Sequence, residues 1–247
     1  MTKYVMDRLS DEMKRRGVSV DCFKMEEANI NLAALSEYDA LGIAYPTHSL
    51  NAPKIVIDFA KKLPKSEGMH TFIIYTCSLD DITNYVSSNL LKKKLAKRGY
   101  EVFYDRLVEM PCNFAHKRSK RDVIETLSKA KKDIPQMAQE ILELNPYVMD
   151  EVSRSKKILA FIARSEWLGA IIMGKHFYAK GDCICCGKCA RNCPKKNVVM
   201  KEKKIRFGLR CNMCMRCIYN CPVFAIDIHR PFKFIRFDKW YDSELFK

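Results

Sequence analysis

The sequence predicts an α/β domain with a parallel sheet, followed by a small α+β domain rich in cysteine. Two observations lead to this prediction. Short apolar runs alternate with amphipathic helical patterns through residues 1–145, which is typical of parallel strands joined by helices. Nine of the twelve cysteines lie within residues 183–221, while the other three stand apart. That clustering indicates metal ligands in a reducing compartment rather than the disulfides of a small secreted domain.

The composition is that of a soluble globular protein. The 247 residues are 48% hydrophobic and 30% charged, which leaves room for one large or two modest domains. The first residues carry too many charges for a secretory signal. The most apolar stretch, 158–173, is interrupted by Arg164 and Glu166 and is shorter than the about 20 residues that span a bilayer. We therefore expect one amphipathic helix there, and a cytoplasmic protein.

Charge is distributed unevenly along the chain. Residues 1–150 hold 23 Lys and Arg against 21 Asp and Glu, a net charge of +2. Residues 151–247 hold 21 against 8, a net charge of +13. Nearly all the basic character therefore belongs to the half that carries the cysteine cluster. The two halves are expected to have different electrostatic roles.

The α/β half begins with an amphipathic helix, in which Val5, Leu9 and Met13 are spaced four residues apart. Asn51 is expected to cap a later helix, with Pro53 near its first turn and Pro64 at its end. The other elements follow in chain order. They are strand 17–23, strand 41–46, strand 70–76, helix 82–98, strand 100–111 and helix 119–145.

The most specific pattern is a cysteine motif that occurs twice, 28 residues apart. Each copy reads C-x2-C-x2-C-x3-C-P. The first three cysteines can hold three corners of a [4Fe–4S] cube, while the fourth reaches the other cluster. The predicted ligands of cluster one are Cys183, Cys186, Cys189 and Cys221. The predicted ligands of cluster two are Cys211, Cys214, Cys217 and Cys193.

Zinc is the alternative metal, because tetrahedral zinc sites also use C-x2-C pairs. Such sites need only two pairs, so they do not account for the third cysteine and the Cys-Pro step in each copy. One further cysteine, Cys185, would spoil the spacing if it replaced Cys186 as a ligand. We interpret it as a small residue beside the cluster that does not bind iron.

The segment between the motifs, NVVMKEKKIRF (197–207), predicts a short hairpin, and FAIDI (224–228) predicts a strand. With these elements, residues 180–229 closely resemble the pseudo-twofold bacterial ferredoxin that holds two [4Fe–4S] clusters. The resemblance implies a ferredoxin-like two-cluster domain at 181–229.

The first half resembles a flavodoxin. TKYVMDRLSDEMKRRG (2–17) is similar to the helix after the phosphate loop, with Thr2 at the position of the loop's last threonine. Residues 44–64 and 98–114 resemble the flavodoxin-like half of flavodoxin–ferredoxin fusion proteins. This family resemblance covers essentially the whole chain. It implies a flavodoxin-like parallel sheet in which the central first strand and most of the phosphate loop are missing, as in an N-terminally truncated form.

The same resemblance implies FMN as a second cofactor, with Thr47, Asn51 and Thr76 as its neighbours. These residue types are equally suited to ordinary loop and capping contacts. With the phosphate loop reduced to a helix end, we expect the chain as it stands to bind FMN weakly or not at all. We also expect a gap or altered strand pairing between 17–23 and 41–46.

The predicted organisation has four parts. A flavodoxin-like domain occupies 1–145, a helical connector 146–180, the ferredoxin domain 181–229 and a basic aromatic tail 230–247. The predicted function is transfer of single electrons through two [4Fe–4S] clusters, coupled to FMN in a full-length form. Two alternatives are a flavin-dependent reductase of a small molecule and an iron–sulfur protein whose basic face binds nucleic acid.

An acidic redox protein is the expected partner, because a strongly basic surface steers association with acidic surfaces. The cations expected to form that surface lie on and beside the hairpin and the second motif. They are Lys195, Lys196, Lys201, Lys203, Lys204, Arg210 and Arg216.

Overall fold

The computed structural model describes residues 1–27, 31–79, 81–112, 118–148 and 153–235. Within these ranges the chain forms two compact units, which divide between Arg164 and Ser165. Cys112 and Arg118 group with the second unit. The division falls inside the segment predicted to connect the two domains. Most of the predicted tail lies outside the described residues.

The first unit is built on a parallel sheet of four strands. The strands are β1 (Ala40–Pro46), β2 (Met69–Cys77), β3 (Tyr100–Glu109) and β4 (Tyr147–Val148). They lie side by side in the order β1-β2-β3-β4, and each neighbouring pair is parallel. The three longer strands confirm the strands predicted at 41–46, 70–76 and 100–111. The two-residue β4 was not predicted.

Helices connect these strands, as expected for an α/β fold. They are α1 (Thr2–Arg15), α2 (Lys54–Lys62), α3 (Asn89–Ala96), α4 (Lys120–Leu142) and α5 (Arg154–Ala163). The predicted apolar stripe of α1 is buried, since Val5 and Leu9 are fully inaccessible and Met13 nearly so. This stripe packs α1 against α4 and β1. The sequence pattern therefore placed α1 on the sheet correctly.

Two helix predictions in this unit need correction. Residues 82–98 do not form one helix, because Ile82–Ser88 is a 3₁₀ helix that precedes α3. Its β-branched and small polar side chains have low α-helix propensity. Asn51 does not cap α2, whose N-terminal flanking residue is Pro53 without a side-chain cap.

The strand predicted at 17–23 is not formed. After α1 the chain turns at Gly17, which has a φ of 84°, and it continues without regular structure to Phe23. Val18 and Phe23 are 38% and 58% exposed. A strand forms only where another strand offers its backbone groups, and the described residues provide none beside this segment. On the side away from β2, β1 has no strand partner among the described residues, so β1 is an edge of the described sheet.

The apolar stretch 158–173 is also not a single helix. It is divided between α5 and α6 (Glu166–Lys175), with a break at Arg164. At that break the Arg164 Nε donates to the Asn51 Oδ1 at 3.2 Å, and the Asn51 Nδ2 donates to the Ala160 carbonyl at 2.8 Å. The Asn51 amide thus fixes the end of α5. None of the helices in the described part of the chain has the length and apolarity needed to cross a bilayer.

The second unit repeats one short pattern twice. Its further elements are β5 (Phe177–Ala179), α7 (Lys188–Arg191), β6 (Val198–Lys201), β7 (Lys204–Phe207), α8 (Arg216–Tyr219) and β8 (Ile226–Ile228). An offset of 28 residues superimposes β5 on the last three residues of β7, α7 on α8, and β8 on the first three residues of β6. The predicted hairpin is β6–β7 and the predicted final strand is β8, so both predictions are confirmed.

Strand pairing in this unit obeys the same two-fold relation. Strands β5 and β8 are antiparallel, as are β6 and β7, and all three residue pairs of β5–β8 have a 28-residue counterpart in β6–β7. The Lys180 N–H donates to the Ala225 carbonyl at 2.7 Å, and the Gly208 N–H donates to the Asn197 carbonyl at 2.9 Å. Each half of the repeat is therefore bonded to the other half, and neither is a separate folding unit.

Candidate metal centre

The two cysteine motifs share an unusual backbone conformation. Two positions in each motif and one just after it have positive φ, a region that L-residues other than glycine rarely adopt. They correspond at an offset of 28 residues, as Cys185 with Met213, Gly187 with Met215 and Lys196 with Phe224. The first two of these positive-φ positions lie between successive cysteines of each motif and turn the chain there. Such turns let thiols that are close in sequence approach a common centre.

The first set of thiols includes one from the second motif. Burial raises the pKa of the Cys189 thiol, and the nearby Cys183 and Cys221 thiols raise it further. Cys221 is the last cysteine of the second motif, yet it lies near the first. Cys186, the remaining member of the predicted set, is exposed.

The second set shows the reciprocal arrangement. Burial raises the pKa of Cys211 to about 11, and the Cys214 and Cys193 thiols contribute to that shift. Burial also raises the pKa of Cys217 strongly, and the largest thiol contributions come from Cys214, Cys211 and Cys193. Cys193 is the last cysteine of the first motif. Each group of neighbouring thiols thus contains the last cysteine of the other motif.

A small pocket lies among the thiols of the second set. The thiols that line it are those of Cys193, Cys211, Cys214 and Cys217. The rest of its wall includes the side chains of Phe177, Asn197, Val198, Phe207 and Met215. Four thiols facing one largely apolar space are a donor set that suits a metal group with thiolate ligands. These residues fit the predicted second cluster.

Zinc and an iron–sulfur cluster place different demands on these thiols. A tetrahedral zinc site requires its four sulfurs at about 2.3 Å from one centre. In a [4Fe–4S] cube each thiolate binds a different iron, so the sulfurs stand further apart. Among the described residues, no group of three or more His, Cys, Asp or Glu side chains could hold a metal ion as the side chains stand.

Backbone amides are directed at several of these sulfurs. The Asn197 N–H donates to the Cys193 Sγ at 3.1 Å, and its counterpart, the Ala225 N–H, donates to the Cys221 Sγ at 3.3 Å. The Met213 N–H donates to the Cys211 Sγ at 3.4 Å. Such bonds stabilise the thiolate, which is the form that binds iron, and they influence the reduction potential of a bound cluster.

Two residues that the cysteine motifs do not predict also shape this site. Asn197 is 3% exposed, and its Oδ1 accepts from the Arg210 N–H at 2.6 Å. Gly174 of α6 lies against Cys211, where an added Cβ would be 2.7 Å from the sulfur. Alignment of the two motifs pairs Asn197 with Ala225, which has no side-chain acceptor, so the repeat gives no signal for this contact. No sequence signal connects Gly174 with a cysteine 37 residues away.

Cys185 has protein partners of its own. Its thiol lies 2.8 Å from the Lys203 carbonyl oxygen, to which it donates, in the turn of the β6–β7 hairpin. A second, longer contact of 3.7 Å joins it to the Cys183 carbonyl. The equivalent residue in the second motif is Met213, which is not a thiol. These contacts suit the interpretation of Cys185 as a neighbour of the cluster that is not a ligand.

The three residues predicted beside FMN lie together at the carboxyl ends of β1 and β2. The Thr47 N–H donates to the Thr76 carbonyl at 2.8 Å. The Thr76 hydroxyl bonds the Thr2 hydroxyl at 2.7 Å, and the Thr47 hydroxyl donates to the Ser87 hydroxyl at 3.2 Å. The Asn51 side-chain amide donates to the Ala160 carbonyl and accepts from the Arg164 Nε. Their polar atoms are thus engaged by the protein itself, so these residues do not fit a bound FMN.

Comparison with known proteins gives limited matches. No family model matches the chain. A segment of 41 residues is 49% identical to the putative electron transport protein YccM of Escherichia coli K12, covering 17% of this chain and 11% of that protein. The metal-soaked flavodiiron core of Flv1 from Synechocystis sp. PCC6803 matches with a TM-score of 0.34 and 12% identity, covering 57% of this chain and 33% of that one. The chain thus spans about a tenth of the curated relative.

Proposed function

We propose that this chain is an iron–sulfur electron-transfer protein with two [4Fe–4S] clusters. In this proposal a flavodoxin-like domain at 1–145 is joined through 146–180 to a ferredoxin-like domain at 181–229. Cys183, Cys186, Cys189 and Cys221 hold one cluster. Cys211, Cys214, Cys217 and Cys193 hold the other. When bound, each cluster supplies a site that gains and loses one electron.

One observation carries the proposal, namely the exchange of the fourth cysteine between the two motifs. Cys221 and Cys183 both lie near Cys189, while Cys193 lies near Cys211 and Cys217. Two independent zinc sites would have no need of this exchange, because each C-x2-C pair can combine with its neighbour in sequence. The similarity to a putative electron transport protein over 41 residues supports the same function.

The protein contributes binding and electrostatics rather than covalent chemistry. Backbone amides donate to the sulfurs of Cys193, Cys211 and Cys221, where they would stabilise the thiolate ligands of a bound cluster. Burial around Cys211 and Cys217 opposes free thiolates, so the metal must stabilise them when it binds. Basic residues around the motifs offset the negative charge of a cluster with four thiolate ligands. The partner that such a basic domain favours is an acidic redox protein.

The test is anaerobic purification followed by iron, sulfide and zinc analysis. We expect about eight irons per chain, because two four-iron clusters are predicted. In Cys193→Ser, iodoacetamide should label Cys211, Cys214 and Cys217 while the other set stays protected. In Cys221→Ser it should label Cys183, Cys186 and Cys189 instead.

Cys185→Ala serves as the matched control, and it should retain all the iron. Labelling that follows sequence order, with Cys193→Ser exposing Cys183, Cys186 and Cys189, would contradict the exchanged arrangement. Stoichiometric zinc without broad visible absorbance would overturn the proposed function.

A further inference from the structure

The two cysteine motifs differ in solvent exposure although their backbones are alike. From Cys183 to Lys188, no residue is more buried than its counterpart 28 positions later, and four are more exposed. Ile184 is 60% exposed, whereas its counterpart Asn212 is only partly so. Cys186 is exposed, whereas Cys214 is partly buried. The first motif therefore presents its cysteine loop to solvent.

Helix α6 accounts for part of the difference. Its residue Gly174 packs directly on Cys211, and its Ala170 belongs to the buried core of the unit. The Lys175 ammonium donates to the Phe207 carbonyl at 3.3 Å, which fastens the end of α6 beside the second set. This helix precedes β5, whereas the equivalent position before β7 is occupied by the hairpin. Helix α6 thus covers part of the second set of thiols, and the two-fold relation provides no equivalent helix over the first motif.

The hairpin turn lies beside the first motif instead. The Cys185 thiol donates to the Lys203 carbonyl, and a Cβ at Gly187 would touch the Met200 methyl group at 3.2 Å. The turn carries three exposed lysines, at positions 201, 203 and 204, with Glu202 as the only acidic residue among them. Exposed Ile184, Val199 and Met200 add apolar area.

We propose that the acidic redox partner docks on the surface made by residues 184–188 and the hairpin turn 201–204. This inference rests on the proposed function. It adds that the cluster site of the first motif, rather than that of the second, exchanges electrons with the partner. A positive rim around a small apolar area is complementary to a negatively charged protein surface. The exchange is of a single electron, so the donor is oxidised by one electron and the acceptor is reduced by one, without transfer of a bond or proton.

The test uses an acidic plant-type [2Fe–2S] ferredoxin as the probe and the fully loaded chain. A carbodiimide, which joins carboxylates to lysines without a spacer, should link the probe mainly to Lys188, Lys201, Lys203 and Lys204. The double variant Lys203→Glu with Lys204→Glu should weaken binding about tenfold at 0.1 M salt. The difference should nearly vanish at 1 M salt, where screening extends over only about 3 Å.

The matched control is Lys131→Glu with Lys132→Glu, an identical change of charge on the exposed side of α4. It should weaken binding less than twofold. Equal weakening by both double variants, or cross-links concentrated on α4, would overturn the proposed docking surface. A DNA duplex that displaces the probe from the wild-type chain and binds more tightly would overturn the choice of partner.

A second measurement does not depend on any partner. In excess iron chelator, the first motif should lose its iron first, so that iodoacetamide labels Cys183 and Cys186 before Cys211 and Cys217. The reverse order would overturn the proposal while leaving the proposed function intact. A chain that carries no iron at all would instead refute the proposed function, so the two failures are distinguishable.

Discussion

Replacement of Gly174 by alanine is the sharpest test of how α6 protects the second set of cysteines. The new Cβ would be 2.7 Å from the Cys211 Sγ and even closer to the Cys211 Cβ. Non-bonded carbon contacts are favourable only at about 3.5–4.0 Å, so either α6 or Cys211 must move. Overpacking of this kind costs about 1–3 kcal/mol. The gain in helix propensity returns up to about 1 kcal/mol, and we expect a net loss of about 1–2 kcal/mol.

Gly169 provides a matched control in the same helix. A Cβ at Gly169 would meet nothing within 4 Å, so Gly169→Ala should stabilise the chain by about 0.5–1 kcal/mol. Urea unfolding measures both changes in the free energy of unfolding. The chelator assay adds a local measurement, since Gly174→Ala should make Cys211 label as early as Cys183. If Gly174→Ala is as stable as Gly169→Ala and keeps the labelling order, the packing of α6 on Cys211 is not what protects the site.

Two further outcomes can be checked with the same material. Titration of the chain into FMN should give little quenching of flavin fluorescence, because Thr47, Asn51 and Thr76 are engaged by the protein; a tight stoichiometric complex would refute this reasoning. Burial lowers the pKa of His48 to about 4, so as the pH falls the unfolded chain protonates this side chain at a higher pH than the folded chain does. The free energy of unfolding should therefore decrease as the pH falls below the ordinary histidine pKa of about 6.5, by at most about 2 kcal/mol at pH 5. His48→Gln should flatten urea-unfolding curves over that pH range, and an unchanged pH dependence would show that another group is responsible.

The grouping of the thiols follows from local information in the sequence. Two residues between cysteines determine how thiols converge, and the repeated motif indicates which cysteine completes each proposed set. The stripe of Val5, Leu9 and Met13 was equally predictable, because its spacing determines which side of α1 is buried.

Other features depend on contacts that are distant in sequence. Apolar alternation predicted a strand at 17–23, but the strand does not form where no described neighbour offers backbone partners. The break between α5 and α6 occurs at Arg164, which is held by Asn51 from a loop more than a hundred residues earlier. Asn51, predicted as a flavin neighbour, is therefore a residue that holds the end of α5. Propensity and periodicity contain no information about such pairs.

The small core of the cysteine-rich unit has a consequence for how much of the protein accumulates in a cell. Ten buried residues among those described form a core in this unit, and one of them is Cys189. Cores of this size rarely supply more than about 3–5 kcal/mol, and several thiols lie in surroundings that disfavour their charge. On the proposed function, metal binding would therefore provide much of the folding free energy of this unit. In a cell short of iron the unit would then be less stable and more open to proteases, so the amount of protein that accumulates would follow the supply of iron.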